Sequence, residues 1–232
     1  MNIQHRLCPV GIGLLSALLL SGVGTPSAAS AQVAQLDEGS FEILVGGERI
    51  GTEEFTIRRV GLGSTASIML QGTARIGGVE IEPILQTSSD WVPVEYRRTV
   101  RGDRDEVVQL FGDGRRYTAV TTNAEGEGER EFRPGLVTVI LDADVAFLYH
   151  VLAARPDADV VTVLHPDQGR QVRLRLEVVG AESFDLDGRG VPVRRLRLSS
   201  GADVREVLVD DQNRVMAVEI PGRDWVARRI SR

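Results

Sequence analysis

The sequence predicts a mainly β protein: a strongly curved antiparallel sheet, a half-barrel or open barrel of about ten strands, wrapped around one short buried helix. Three observations carry that expectation. Apolar and polar residues alternate with a period of two through most of the chain after residue 40. Gly, Pro, Asn and Asp clusters punctuate the alternation at regular intervals. One segment alone, Val145 to Ala154, is apolar almost all the way round a helix, which marks an element enclosed by others. A flat sheet could not enclose it, so the sheet is expected to curve.

The first 31 residues read as a cleaved export signal. Met1 to Arg6 is a short basic start, Leu7 to Val23 is apolar with its dense core at Ile12 to Leu20, and Ala29-Ser30-Ala31 fits the small-residue cleavage pattern, with the cut between Ala31 and Gln32. Glycines and Pro26 interrupt a core already short for a membrane span, so no span is expected after cleavage. Cys8 is the single cysteine and precedes the apolar core, which excludes it as a lipidation site. The exported chain then has no thiol chemistry, disulfide or thiolate metal site. Residues 32–39 are expected to be a flexible lead-in, and 40–232 a single β-rich domain in the periplasm or outside the cell.

From residue 40 the elements follow in order. Phe41, Ile43 and Val45 share one face of a first strand, and Phe55 and Ile57 one face of a second. Between them lies Gly46-Gly47-Glu48-Arg49-Ile50-Gly51. A phosphate-gripping loop would need a lysine and a following helix. The chain contains no lysine, and Thr52 to Arg59 alternates as a strand, so the glycines are assigned to a hairpin turn. Strands follow at 67–76, 79–87, 92–100, 107–111 and 117–122, with Gly77-Gly78 and Gly112-Asp113-Gly114 as turns. Residues 123–130, Asn-Ala-Glu-Gly-Glu-Gly-Glu-Arg, have no apolar face and are expected to be an exposed loop. Leu141-Asp142-Ala143-Asp144 offers N-cap residues for the helix, and Arg155-Pro156 closes it. That helix spans about 18 Å, too short for a bilayer. Beyond it, Val172, Leu174, Leu176 and Val178 oppose Arg173, Arg175 and Glu177, and further strands run at 193–198, 204–209, 215–220 and 225–230. One wet and one buried face is the mark of antiparallel pairing.

Charge and motif content exclude several functions. The formal net charge is −6, and loss of Arg6 with the signal lowers it further, which argues against nucleic acid as a partner. All 27 basic residues are arginine, spread along the whole chain; the absence of lysine removes Schiff-base chemistry. No metal or cofactor motif is complete: Asp185-Leu186-Asp187-Gly188 lacks the remaining ligands of a calcium loop and reads as a turn. His150, on the helix, is expected to be a core residue, with pairing to Asp142 or Asp144 as the alternative that would make it an acid–base group. No G-x-S-x-G elbow occurs. What remains is an apolar pocket between sheet and helix, with Trp91, Tyr96, Phe111, Phe147, Leu148 and Trp225 as candidate lining residues.

Two stretches carry a resemblance. "VGGERIGTEEFTI" (45–57) and "VLVDDQNRVMAVEIP" (207–221) resemble the opening hairpin and the closing D-x-x-x-R-V-x-x-V-E-I-P hairpin of a family of exported bacterial proteins of unknown function. "ILDADVAFLYHVLAARP" looks like that family's central helix, and "LHPDQGRQVRLRLEVVG" like its following hairpin. In fold the pattern is similar to half-barrel lipoprotein-carrier and lipid-sensing domains of the bacterial envelope. The resemblance implies a non-enzymatic envelope protein that binds a lipid or other apolar ligand, or assists outer-membrane assembly. A periplasmic protein–protein interaction module and a hydrolase of an envelope substrate are the alternatives, in that order.

Overall fold

A computed structural model describes residues 33–113 and 115–231. The expected signal, with Ala31, Gln32 and Cys8, lies outside them. Fifteen strands form one sheet that does not close, in the order β8-β7-β6-β5-β4-β3-β2-β1-β15-β14-β13-β12-β11-β10-β9. The first run comprises β1 (Val33–Val45), β2 (Glu48–Val60), β3 (Ser67–Ile76), β4 (Val79–Ser88), β5 (Pro93–Arg101), β6 (Glu106–Gly112), β7 (Tyr117–Asn123) and β8 (Gly126–Phe132). The second comprises β9 (Thr138–Ile140), β10 (Val160–His165), β11 (Arg170–Leu186), β12 (Arg189–Ser200), β13 (Asp203–Asp210), β14 (Val215–Ile220) and β15 (Trp225–Ser231). Each pair is antiparallel except β9 with β10. β1 and β15 join the two runs, with Ile43 opposite Ala227.

The strand count exceeds the expected ten, and β8, β9 and β10 fall where the sequence marks no strand. β8 occupies the segment expected to be a loop, and its backbone pairs with β7 although all but Phe132 of its side chains are exposed. The first strand also begins earlier than residue 40: Val33 pairs with Val60, and a bulge at Leu36 precedes the inward-facing Asp37. Gly46 and Gly47, at φ 59° and 82°, make the two-residue hairpin turn that the sequence predicts between β1 and β2.

The helix is shorter than expected. A 3-10 turn (Phe147–Tyr149) runs into one α-helical turn, α1 (His150–Ala153), and every residue from Val145 to Ala153 is buried. Its start is not capped by Asp142 or Asp144. Glu53 of β2 reaches across the core, where its two carboxyl oxygens accept the N–H groups of Ala146 (2.8 Å) and Phe147 (2.7 Å). Burial pushes the Glu53 carboxyl up to about 8, against the pull of those two donors. The Phe147 ring stacks on Phe55, which stacks on Phe41, at 5.9 and 5.2 Å between centroids. It seats against β3 at Gly72, where any Cβ would lie 2.6 Å from the ring.

Strands far apart in the sheet order meet on this segment. Tyr96 of β5 donates its hydroxyl to Asp142, just after β9, at 2.9 Å, and Arg98 Nε lies 2.7 Å from the same carboxylate. On the other face, the far half of the β11–β12 hairpin lays Phe184, Leu186 and Val193 over Leu208, Met216 and Ala217. Arg228 stacks over the Phe184 ring at 5.2 Å. That second small core buries β13 and β14 on both faces, which explains their unbroken apolar runs.

Candidate functional site

β13 and β14 are joined at one end by the turn through Gln212 and Asn213, and at the other they leave for β12 and β15. A cleft lies at each end, and each holds one of the two histidines of the described residues.

The first cleft, of about 300 Å³, is walled by Leu36, Ile57, Trp91 and Ala154, and rimmed by Arg59, Gln212, Asn213 and Arg214. Asp37 and His150 form its floor. The Asp37 carboxylate accepts both terminal nitrogens of Arg229, at 2.8 and 2.9 Å, in the bidentate geometry favoured by a guanidinium. Its Oδ2 also lies 2.8 Å from His150 Nε2. The other imidazole nitrogen, Nδ1, is 2.8 Å from the Phe147 carbonyl oxygen. That oxygen only accepts, so Nδ1 carries a proton. Arg229 and His150 hold the Asp37 carboxyl well below the usual carboxylate range, against the opposing effect of burial. The Phe55 ring packs against both neighbours of Asp37, 5.3 Å from the Arg229 guanidinium and 5.2 Å from the His150 ring. At the rim, Arg214 is neutralised by the buried Asp210 at 2.6 Å.

Trp91 enters this wall from the turn between β4 and β5. Its N–H donates to Ser88 O at 3.0 Å, and Ser88 N–H donates to Val92 O at 2.9 Å. The turn holds Trp91 at φ 63°, in the left-handed region, where a bulky side chain is a genuine outlier. Strain of this kind persists where the surrounding structure over-determines it, often at binding sites.

The second cleft, of about 530 Å³, lies among the end of β10, the start of β11, the β12–β13 turn and the end of β14. Arg170, Arg205 and Arg223 line it beside His165, with Asp203 as the one carboxylate of the lining. His165 Nδ1 donates to Leu141 O at 2.8 Å, and Nε2 accepts from Arg205 Nη2 at 3.3 Å. Burial first, then the charges of Arg205 and Arg170, lower the His165 imidazole to about 4, so it is neutral at pH 7.

The six aromatic and aliphatic candidates do not share one cavity. Trp91 walls the first cleft. Tyr96, Phe147 and Leu148 are fully buried in the main core. Trp225, 2% exposed, backs a separate cleft beneath the Gly46-Gly47 turn, and its indole N–H has no acceptor among the described residues. Phe111 is 48% exposed, on the face opposite its buried neighbour Leu110. His150 finds its acid, but the partner is Asp37 rather than Asp142 or Asp144. Asp37, Arg229 and the arginines of the second cleft carry no sequence signal of their own. They come together only through strand pairing over long separations.

No family model matches the chain, and no curated protein matches it. Among solved structures it is similar to a DUF1089 family protein from Pseudomonas aeruginosa, at TM-score 0.41 and 17% identity, over 74% of this chain and 90% of that one. Among the described residues, no helix is long and apolar enough to cross a membrane, and no cluster of three or more His, Cys, Asp or Glu side chains offers a metal site.

Proposed function

We propose that this protein is an exported, non-enzymatic component of the bacterial cell envelope, periplasmic or extracellular, that binds a lipid or another apolar small molecule in the cleft walled by Trp91. In this reading residues 1–31 direct export, cleavage falls between Ala31 and Gln32, and the rest is one β-rich binding domain of the half-barrel type. The contact of Tyr96 with Asp142, between strands eleven places apart in the sheet order, supports the half-barrel description. The Gly46-Gly47 hairpin and the 207–221 hairpin support the likeness to exported families and lipoprotein-carrier-like domains.

The observation that carries the reading is the strained Trp91 backbone beside a floor whose charges neutralise one another. A flat indole, Leu36 and Ile57 present apolar surface, and a volume of about 300 Å³ suits a ring or the end of a chain. Expression of the full chain and purification from the periplasm, followed by native mass spectrometry, should reveal a bound apolar molecule. In a Trp225→Phe variant, Trp91 is the only tryptophan, and its fluorescence should shift on titration with a fatty acid. A clean protein mass together with an unchanged Trp91 spectrum would sink the proposal.

One observation favours the hydrolase alternative: His150 stands beside Asp37 at the floor of a cleft. Two others weigh against it. Both imidazole nitrogens are engaged, and the cleft lining includes no Ser, Thr or Cys to act as nucleophile. The interaction-module alternative would use the edge of β8, whose Glu127, Glu129 and Glu131 are exposed; charges on an edge strand serve as readily to prevent pairing.

A further inference from the structure

The second cleft has the opposite character from the first, and nothing in the Trp91 reading depends on it. In a chain of net charge −6, three guanidiniums converge on a concavity of about 530 Å³ whose lining includes one carboxylate. Arg205 is 5% exposed, yet its four polar contacts are all long: 3.2 and 3.4 Å to Asp203, 3.2 Å to Tyr149 Oη and 3.3 Å to His165 Nε2. These use four of its five N–H groups and leave one Nη1 hydrogen without an acceptor among the described residues. Arg223 is anchored by Ala143 O and Asp144, each at 2.6 Å, which fixes its head at the rim. Arg170, exposed at the start of β11, completes the set. A buried guanidinium with a spare donor, flanked by two more and by a neutral histidine, is matched by an oxyanion with several acceptor oxygens.

We propose that this cleft binds an oxyanion, a phosphate or carboxylate group held among Arg170, Arg205 and Arg223. Two sources share that chemistry: a small free anion, and the headgroup of an anionic amphiphile. β13 runs between this cleft and the Trp91 cleft, and its eight residues span roughly 25 Å, so the two sites fill independently.

The test is titration of the full exported chain at constant ionic strength. Inorganic phosphate is one ligand and a short-chain phosphatidic acid below its micelle concentration is the other, with calorimetry and histidine NMR as readouts. Saturable binding should occur, with the His165 resonances moving while those of His150 stay fixed. Arg170→Gln and Arg223→Gln should each weaken it by about tenfold, the loss expected for one charge-assisted contact. Arg59→Gln, at the rim of the first cleft, should leave affinity unchanged. Tighter binding of phosphatidic acid than of phosphate would assign the headgroup as the source; equal affinity would assign the free anion. Absence of saturable binding by either ligand, equal affinity in the two arginine variants and the unmodified protein, or movement of His150 in place of His165 would overturn the proposal. Both arginines are mounted at the rim, and circular dichroism of the variants checks that they fold.

Discussion

The two ends of β13 and β14 each bury a histidine, and the neighbours of the two are opposite in charge. His150 faces the Asp37 carboxylate, which is itself clasped by Arg229, with these contacts to the carboxylate at 2.8–2.9 Å. His165 faces the Arg205 guanidinium, whose contacts run from 3.2 to 3.4 Å. At the first end charge is spent internally, and the cleft above it offers an indole and aliphatic walls. At the second end positive charge exceeds negative, and donor capacity is left over. Burial alone therefore does not give a histidine its role. The sign and the completeness of its partners do, and here they distinguish an end with internally paired charge beside the Trp91 cleft from an end with an excess of arginine.

If that division is correct, removing the carboxylate at each end should have unequal consequences. Asp37→Ala removes the carboxylate that both Arg229, 1% exposed, and His150, 4% exposed, bind. The expected loss is about 3–5 kcal/mol, the range for breaking one partner of a buried ion pair. Asp203→Ala removes long contacts from a side chain that is 27% exposed, and Arg205 keeps Tyr149 and His165. The expected loss there is about 1–2 kcal/mol. Urea denaturation of both variants measures the contrast, and equal losses would break it.

A pH experiment sharpens the same contrast. In the native state His165 titrates at about 4, against 6.5 for an unstrained imidazole. Between those values the unfolded chain binds a proton that the native chain refuses. Stability therefore falls as pH drops through this window and is fully present above it. The contribution amounts to about 3 kcal/mol by the acid end of the window. Replacing His165 with Gln removes it, so the gap in stability between the unmodified protein and His165→Gln should shrink steadily from pH 7 to pH 4. Parallel curves would mean that neither burial nor the nearby arginine charges lower the His165 imidazole.

Much of this frame is legible in the sequence, and the reasons for the remainder are physical. Alternation in 171–177 and the paired glycines at 46–47 report local geometry, and both lie where the sequence places them; Val178, expected on the buried face, is 56% exposed because the sheet's inner face ends there. β8 is not legible because an edge strand with Glu127, Glu129 and Glu131 pairs through its backbone and has almost no apolar face to display. The buried segment 145–153 is visible as an apolar run, but its capping is not. Glu53 lies 93 residues from Ala146, and local cap candidates stand nearer in sequence than in space. Asp37 is hidden for the same reason: it sits 113 residues from His150 and 192 from Arg229, in a segment that alternation does not mark as strand. Trp91 is legible as a large aromatic beside a turn. Its positive φ is set by the Ser88–Val92 hydrogen bonds and has no compositional trace.

That φ supplies the finest test of the apolar end. A left-handed tryptophan is strained by about 1–3 kcal/mol. Trp91→Ala removes the indole but keeps a Cβ in the same strained backbone. Trp91→Gly removes the indole and relieves the strain. Elsewhere in loops, alanine is the more stabilising of the two by about 0.4–1 kcal/mol, because it restricts the unfolded chain. At position 91 the order should invert, with the glycine variant more stable than the alanine variant by about 1 kcal/mol. Both should lose fatty-acid binding, since both lack the wall of the cleft. Denaturation midpoints of the pair decide the matter. An alanine variant as stable as the glycine one would show that the turn imposes no strain, and would reduce Trp91 to ordinary packing against the main core.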